Sequence, residues 1–148
     1  MENQTDSFQK LNLLYGRIVE VEDLIPIEEI QKHDIYLQHP WLEWRERNIK
    51  EYNQCENVLD QLPREIDVLC LDGGQFSTRS EFEVLKDRTK MIMLDDTSTF
   101  KTESIRREIL SHPQVWQVLE DNRDQRHGFM IALKKEYLDL LDNVDISI

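Results

Sequence analysis

Two short acidic stretches hold the residues best suited to chemistry in this chain. Asp72-Gly73-Gly74 follows the apolar run Ile66-Asp67-Val68-Leu69-Cys70-Leu71, and Asp95-Asp96-Thr97-Ser98 follows Met91-Ile92-Met93-Leu94. Each apolar run reads as a strand buried on both faces, and each acidic stretch breaks it. If the two strands are adjacent and parallel, Asp72, Asp95 and Asp96 project from one edge of the sheet. Three carboxylates there repel one another. A hard divalent cation relieves that repulsion, and Mg²⁺ takes a few carboxylates with water and substrate oxygens completing its shell. An ion so held polarises an oxygen and orients a hydroxyl for attack. The competing reading is plain turn chemistry, in which each aspartate caps the next helix or closes an Asx-turn.

The elements that must position these residues follow from periodicity. Thr78-Arg79-Ser80-Glu81 has the form of a capping box and predicts a helix carrying Phe82, Val84 and Leu85 inward. A further helix is expected from Thr102 to Ser111, burying Ile105, Ile109 and Leu110 and stopped by Pro113. Strands at Val115–Leu119 and Phe129–Leu133, joined by the polar turn Glu120–His127, predict an antiparallel pair. Before this block, apolar residues from Trp41 to Leu62 fall near helical steps, predicting one long helix ended by Pro63. Arg17-Ile18-Val19-Glu20-Val21 alternates like a strand, Pro26 marks a turn, and Glu28–Lys32 reads as a helical turn. The tail from Tyr137 to Leu141 reads as another.

The fold class expected is α/β, an incomplete Rossmann-like and mostly parallel sheet with helices on both faces and a C-terminal antiparallel hairpin. The chain reads as a single domain over residues 1–148: an irregular segment with one strand over 1–40, the α/β core over 41–135 and a tail over 136–148. Ligands of such sheets bind beyond the carboxyl ends of the strands. That rule makes Asp72, Gly73 and Gly74 the candidate cofactor-binding residues and Asp72, Asp95 and Asp96 the candidate metal ligands.

Charge excludes other classes. Thirty acidic against 18 basic residues leave a net charge of −12, which repels phosphate backbones and anionic lipid, so no nucleic-acid or membrane partner is expected. No apolar run reaches the roughly 20 residues of a membrane span. The first residues, Met1-Glu2-Asn3-Gln4-Thr5-Asp6, lack the basic and apolar regions of a secretion signal. The two cysteines, Cys55 and Cys70, lack metal-ligand spacing, and Cys70 reads as a buried thiol. A reducing, cytoplasmic setting is expected.

Taken as a run, Ile66–Thr78, Glu81-Phe82, Leu85–Lys90 and Leu94–Thr97, with Lys101, Arg106, Leu110 and Arg126–Phe129, resembles the C-terminal half of class I S-adenosylmethionine-dependent methyltransferases. The nearest likeness is to methyltransferase-like proteins of bacterial polysaccharide gene clusters. The resemblance implies a Rossmann-like sheet ending in an antiparallel hairpin. It also implies Mg²⁺ at Asp72, Asp95 and Asp96, where metal-dependent O-methyltransferases carry their acidic ligands, and methyl transfer from S-adenosylmethionine to a sugar hydroxyl of a small-molecule or glycan acceptor.

The chain departs from that family at the cofactor. No glycine lies between Gly16 and Gly73, so the glycine-rich loop that cradles S-adenosylmethionine has no counterpart. Gln75 stands where catechol-type enzymes have a lysine base. Lys101 is then the candidate catalytic base, against the plainer reading of a solvated first-turn lysine. The missing strands would leave a sheet edge open, to be covered by the N-terminal segment, a second copy or another protein. A catalytically inactive binding or assembly partner is the alternative function. The loop His33–Trp41 could line an acceptor pocket or pack the start of the long helix; Trp41, Trp44 and Trp116 could form a sugar-stacking platform, but the helical spacing of Trp41 and Trp44 reads better as core. Arg45 and Arg47 read as an ordinary charged helix face, without a role.

Overall fold

A computed structural model describes residues 13–32 and 40–141. Its centre is a four-stranded sheet of β1 (Ile66–Leu71), β2 (Thr89–Asp95), β3 (Trp116–Asn122) and β4 (Phe129–Lys134), in the order β1-β2-β4-β3. Of its three pairings only β1–β2 is parallel, with Leu69 opposite Ile92 and Leu71 opposite Leu94. β4 runs antiparallel to both β2 and β3. The sheet is therefore mixed, which corrects the expectation of a mostly parallel one. The hairpin strand β4 inserts beside β2 instead of extending the parallel set, so it meets antiparallel neighbours on both sides.

Among the described residues four α-helices accompany the strands: α1 (Ile27–Ile30), α2 (Trp41–Gln54), α3 (Thr78–Leu85) and α4 (Glu103–Ser111). The main core forms where α3 and α4 lie on the sheet. Phe82, Ile105 and Ile109 pack there on Leu71, Ile92, Leu94, Met130, Ala132 and Trp116. Phe82 is wholly buried, a burial that stabilises by about 1.5–3 kcal/mol. Glu108 of α4 receives Lys86 at 2.8 Å and also pairs with Arg79, tying the two helices together at the surface. Val84 and Leu110, expected inside, are exposed because they fall on the outer faces of these helices.

The opposite sheet face is bare in places. Side chains alternate along a strand, so Val68 and Cys70 point away from Leu69 and Leu71. Val68 is 50% exposed, Met93 37%, and Cys70 is an exposed free thiol. Among the described residues α3 and α4 pack on the Ile92 face, the other face is exposed at Val68 and Met93 but closed at Leu133, and Cys70 is not the buried thiol its apolar surroundings suggest. β1 is an edge strand, and burial on both faces fails there.

The N-terminal part folds differently from its sequence pattern. Arg17–Val21 forms no strand. Arg17 makes a single bridge to Asn57, and Val21–Asp23 is a 3-10 turn whose start is held by the Glu20 amide donating to Asp23. That bridge also shortens the long helix. The Val58 amide donates to the Arg17 carbonyl at 2.8 Å, Arg17 donates to the Cys55 carbonyl at 3.1 Å, and Cys55 is extended. Helix α2 therefore ends at Gln54, well before Pro63.

A second core lies at the carboxyl ends of the parallel strands. Leu24, Ile30, Trp41, Phe76 and Phe100 are buried together. The Trp41 ring meets Phe100 edge-on at 4.9 Å and Phe76 at 6.5 Å. Phe76 closes the loop after β1 and Phe100 the loop after β2, so one tryptophan braces both acidic loops. Tyr137 lies within the C-terminal 3-10 turn Lys135–Leu140, as its pattern suggests. No helix among the described residues is long and apolar enough to cross a membrane.

Candidate functional site

The parallel register of β1 and β2 brings their carboxyl ends side by side, and the acidic residues follow from it. Asp72 leaves β1 directly, Asp95 is the last residue of β2, and Asp96 is the next. Carboxylate oxygens of all three lie within 4.8 Å of one another, Asp72 exposed and Asp95 and Asp96 half-buried. Asp96 has φ +58, the left-handed region in which aspartate is better tolerated than most residues. Its carbonyl accepts from both the amide and the hydroxyl of Thr99 at 2.9 Å, closing the turn. Thr102 then donates to the Asp95 carbonyl at 2.8 Å, anchoring the start of α4 to the end of β2.

The far side of this loop docks on the β3–β4 turn. Thr97 donates its amide to the Gly128 carbonyl at 3.1 Å, and Ser98 donates to that of His127 at 2.8 Å. Gly128 has φ +83, and a Cβ there would meet Thr97 Oγ1 at 2.5 Å. Only glycine suits that position.

Lys101, the candidate base, is not the solvated first-turn lysine of the plainer expectation. It is 4% exposed, and its Nζ donates to Asp72 at 2.8 Å and to Asp96 at 3.3 Å. Burial alone would pull its pKa down. The bonds to the two carboxylates outweigh that and hold it above the ordinary lysine range. The same ammonium lowers the pKa of Asp72. Lys101 is thus neither solvated nor idle. It is a built-in cation at the rim, and a divalent ion entering there would share the carboxylates with it.

Gly73 and Gly74 are exposed, and their backbone passes close to α3. A Cβ on Gly74 would lie 2.9 Å from Ser77 Oγ and one on Gly73 3.0 Å from Glu81 Oε2. The expected capping box is not formed. Thr78 instead donates its hydroxyl to the Gly74 carbonyl at 2.8 Å, and Glu81 accepts from the Tyr52 hydroxyl at 3.3 Å. Burial pushes the Tyr52 hydroxyl up to about 12, so it stays protonated and donates.

A cleft of about 280 Å³ opens beside Gly73 and Gly74, walled by Trp44, Arg47 and Asn48 of α2. Sequence reasoning gave Arg47 no role, since only the packing of α2 against the loop after β1 brings it there. A larger cleft, about 540 Å³, lies between Ile25, Phe100, Arg79 and Arg107, and none of the three rim aspartates lines it. The acceptor-pocket reading of His33–Trp41 falls, over 33–39, outside the described residues.

Comparison with known proteins adds no relative: no family model, no characterised protein and no solved structure matches this chain.

Proposed function

We propose that this is a methyltransferase-like protein whose acidic rim holds Mg²⁺ and presents a sugar hydroxyl to it, in surface-glycan synthesis. One observation carries the reading: Asp72, Asp95 and Asp96, from the ends of two adjacent parallel strands, bring carboxylate oxygens within 4.8 Å of one another. All three donors are hard oxygens, and the exposure of Asp72 leaves room for water and an acceptor, a set that suits Mg²⁺. Held there, Mg²⁺ supplies Lewis acidity to a bound hydroxyl. Asp72, Asp95 and Asp96 hold the ion. Lys101 lies between Asp72 and Asp96 and lowers the pKa of Asp72. Protonated and bound to both, its Nζ has no lone pair to take a proton, so Lys101 is a positioning residue and not the base. The sheet also ends in the antiparallel hairpin that the resemblance implies.

The fit to S-adenosylmethionine is poorer, because the glycine-rich loop has no counterpart, and no transfer step is assigned to these residues. That mismatch favours a second reading, a methyltransferase-like fold that serves as a binding or assembly partner. The outer edge of β1, which has no partner among the described residues, supports it too.

Thermal unfolding tests the metal. Mg²⁺ should raise the Tm of the wild-type protein and leave Asp95→Asn unchanged, since an ion stabilises only the fold that binds it. Equal shifts in both proteins would put the ion elsewhere. Isothermal titration with S-adenosylmethionine then separates the readings: saturable heat supports the transferase, and its absence at millimolar ligand supports the partner.

A further inference from the structure

We propose that the cleft between α2 and the Gly73-Gly74 loop is an acceptor subsite for a hydroxyl-bearing ring that carries a carboxylate, a uronic acid being the representative. The placing of a hydroxyl at the rim rests on the proposed Mg²⁺ site, whereas the capture of the carboxylate does not.

Arg47 points to the carboxylate. It lines the cleft and is exposed. Arg17, Arg79, Arg106 and Arg107 all close ion pairs with acids, but no carboxylate among the described residues pairs with Arg47. Glu43 and Glu51, one turn to either side of it on α2, leave its guanidinium open. Among the described residues Arg45, Arg64, Arg88, Arg123 and Arg126 also close no ion pair, but of these open arginines only Arg47 lines this cleft, and its planar fork matches a carboxylate with two parallel hydrogen bonds. Of the acids beside Gly73, Asp72 is paired with Lys101 at 2.8 Å and so repels an incoming anion less, and Glu81 accepts from the Tyr52 hydroxyl.

Trp44 points to the ring. It is half-buried and braced edge-on by Trp41 at 5.0 Å and 83°, which fixes it as a rigid wall of the cleft. Sugar rings present an apolar C–H face that packs on indole. Asn48 adds an amide able to donate and to accept beside hydroxyls. The opposite wall, Gly73 and Gly74, has no side chains, so a ligand reaches backbone. At about 280 Å³ the cleft falls at the low end of ligand sites and suits one ring, not a dinucleotide-sized molecule. Asp72 directly precedes Gly73, and two residues of chain span at most roughly 7 Å. The Gly73 end of the cleft therefore adjoins the rim.

Glucuronate, glucose and glucose 6-phosphate, titrated into the full chain by calorimetry with and without Mg²⁺, test the assignment. Glucuronate should bind saturably and glucose at least about tenfold more weakly, the loss expected when a charge-assisted pair is missing. Arg47→Gln should cost glucuronate a similar factor and leave the Mg²⁺ shift in Tm intact. Asp95→Asn should lose that shift yet still bind glucuronate without Mg²⁺, which separates failure of the metal reading from failure of this one. Trp44→Leu should weaken glucuronate and glucose together. Absence of glucuronate binding, equal binding by Arg47→Gln, or glucose binding as tightly as glucuronate would overturn the subsite. Tighter binding of glucose 6-phosphate would overturn the carboxylate assignment.

Discussion

Lys101 carries its ammonium into the rim between Asp72 and Asp96, and the linkage runs in both pH directions. Asp72 has its pKa lowered by Lys101, so its contribution to stability is present above the usual carboxylate range and is lost as pH falls through the lowered value. Lys101 has its pKa raised, so its contribution is complete below the ordinary lysine value of about 10.4 and is lost as pH rises through the raised one. Replacing Lys101 by Met leaves two neighbouring carboxylates without their shared cation. Because Asp72 is largely solvated, the expected cost at neutral pH is about 1–2 kcal/mol, below that of breaking a fully buried pair, and urea unfolding measures it. The acid limb of the stability curve should flatten in Lys101→Met, since Asp72 no longer has a partner to lose. Mg²⁺ should stabilise the variant more than the wild type, because the built-in competitor is gone. An unchanged or smaller Mg²⁺ shift would show that the ammonium and the ion do not share those oxygens.

At the scale of elements, the acidic loop holds its shape because the β3–β4 turn grips it. Gly128→Ala places a Cβ at φ +83 and 2.5 Å from Thr97 Oγ1, so either the turn or the loop must shift. A cost of about 1–3 kcal/mol is expected, with a weaker Mg²⁺ shift in Tm because Asp95 and Asp96 lose their register with Asp72. Ser98→Ala keeps the backbone bond to His127 and should leave both readouts unchanged. How much was legible beforehand divides along the same line. β1, β2 and the hairpin were readable because apolar runs bounded by acids and turns are local signals. The meeting of Asp72, Asp95 and Asp96 followed from those strand ends once the pair was taken as parallel. Arg17–Val21 misled because alternation marks a strand only where a partner ladder exists, and here Asn57 offers a single bridge. The same bridge ended α2 at Gln54, a tertiary effect that helical periodicity cannot report. Lys101 was legible as a candidate from its place near the second acidic break, but its burial and its bond to Asp72 were not, and Arg47 was given no role, because each reaches its place through packing with residues distant in sequence.

At the scale of the whole molecule, one face of the sheet is covered only in part among the described residues. α3 and α4 cover the face of Ile92 and Leu94, whereas Val68 and Met93 stand exposed on the other, and β1 has no partner on its outer edge among the described residues. An edge strand presents unpaired amides and carbonyls, and apolar side chains beside it invite another chain. Electrostatics opposes a second copy: each chain carries −12, and the repulsion is screened within about 8 Å only at physiological salt or above. Self-association through this surface should therefore grow with salt as well as with concentration. Val68→Lys tests it. Val68 is half exposed, so the substitution should change stability by no more than about 0.5 kcal/mol, whereas Ile92→Ala in the covered face should cost about 2–5 kcal/mol. In sedimentation at high salt the wild-type protein should gain apparent mass with concentration, and Val68→Lys should stay monomeric. If both sediment alike, the open edge is not where this chain meets another.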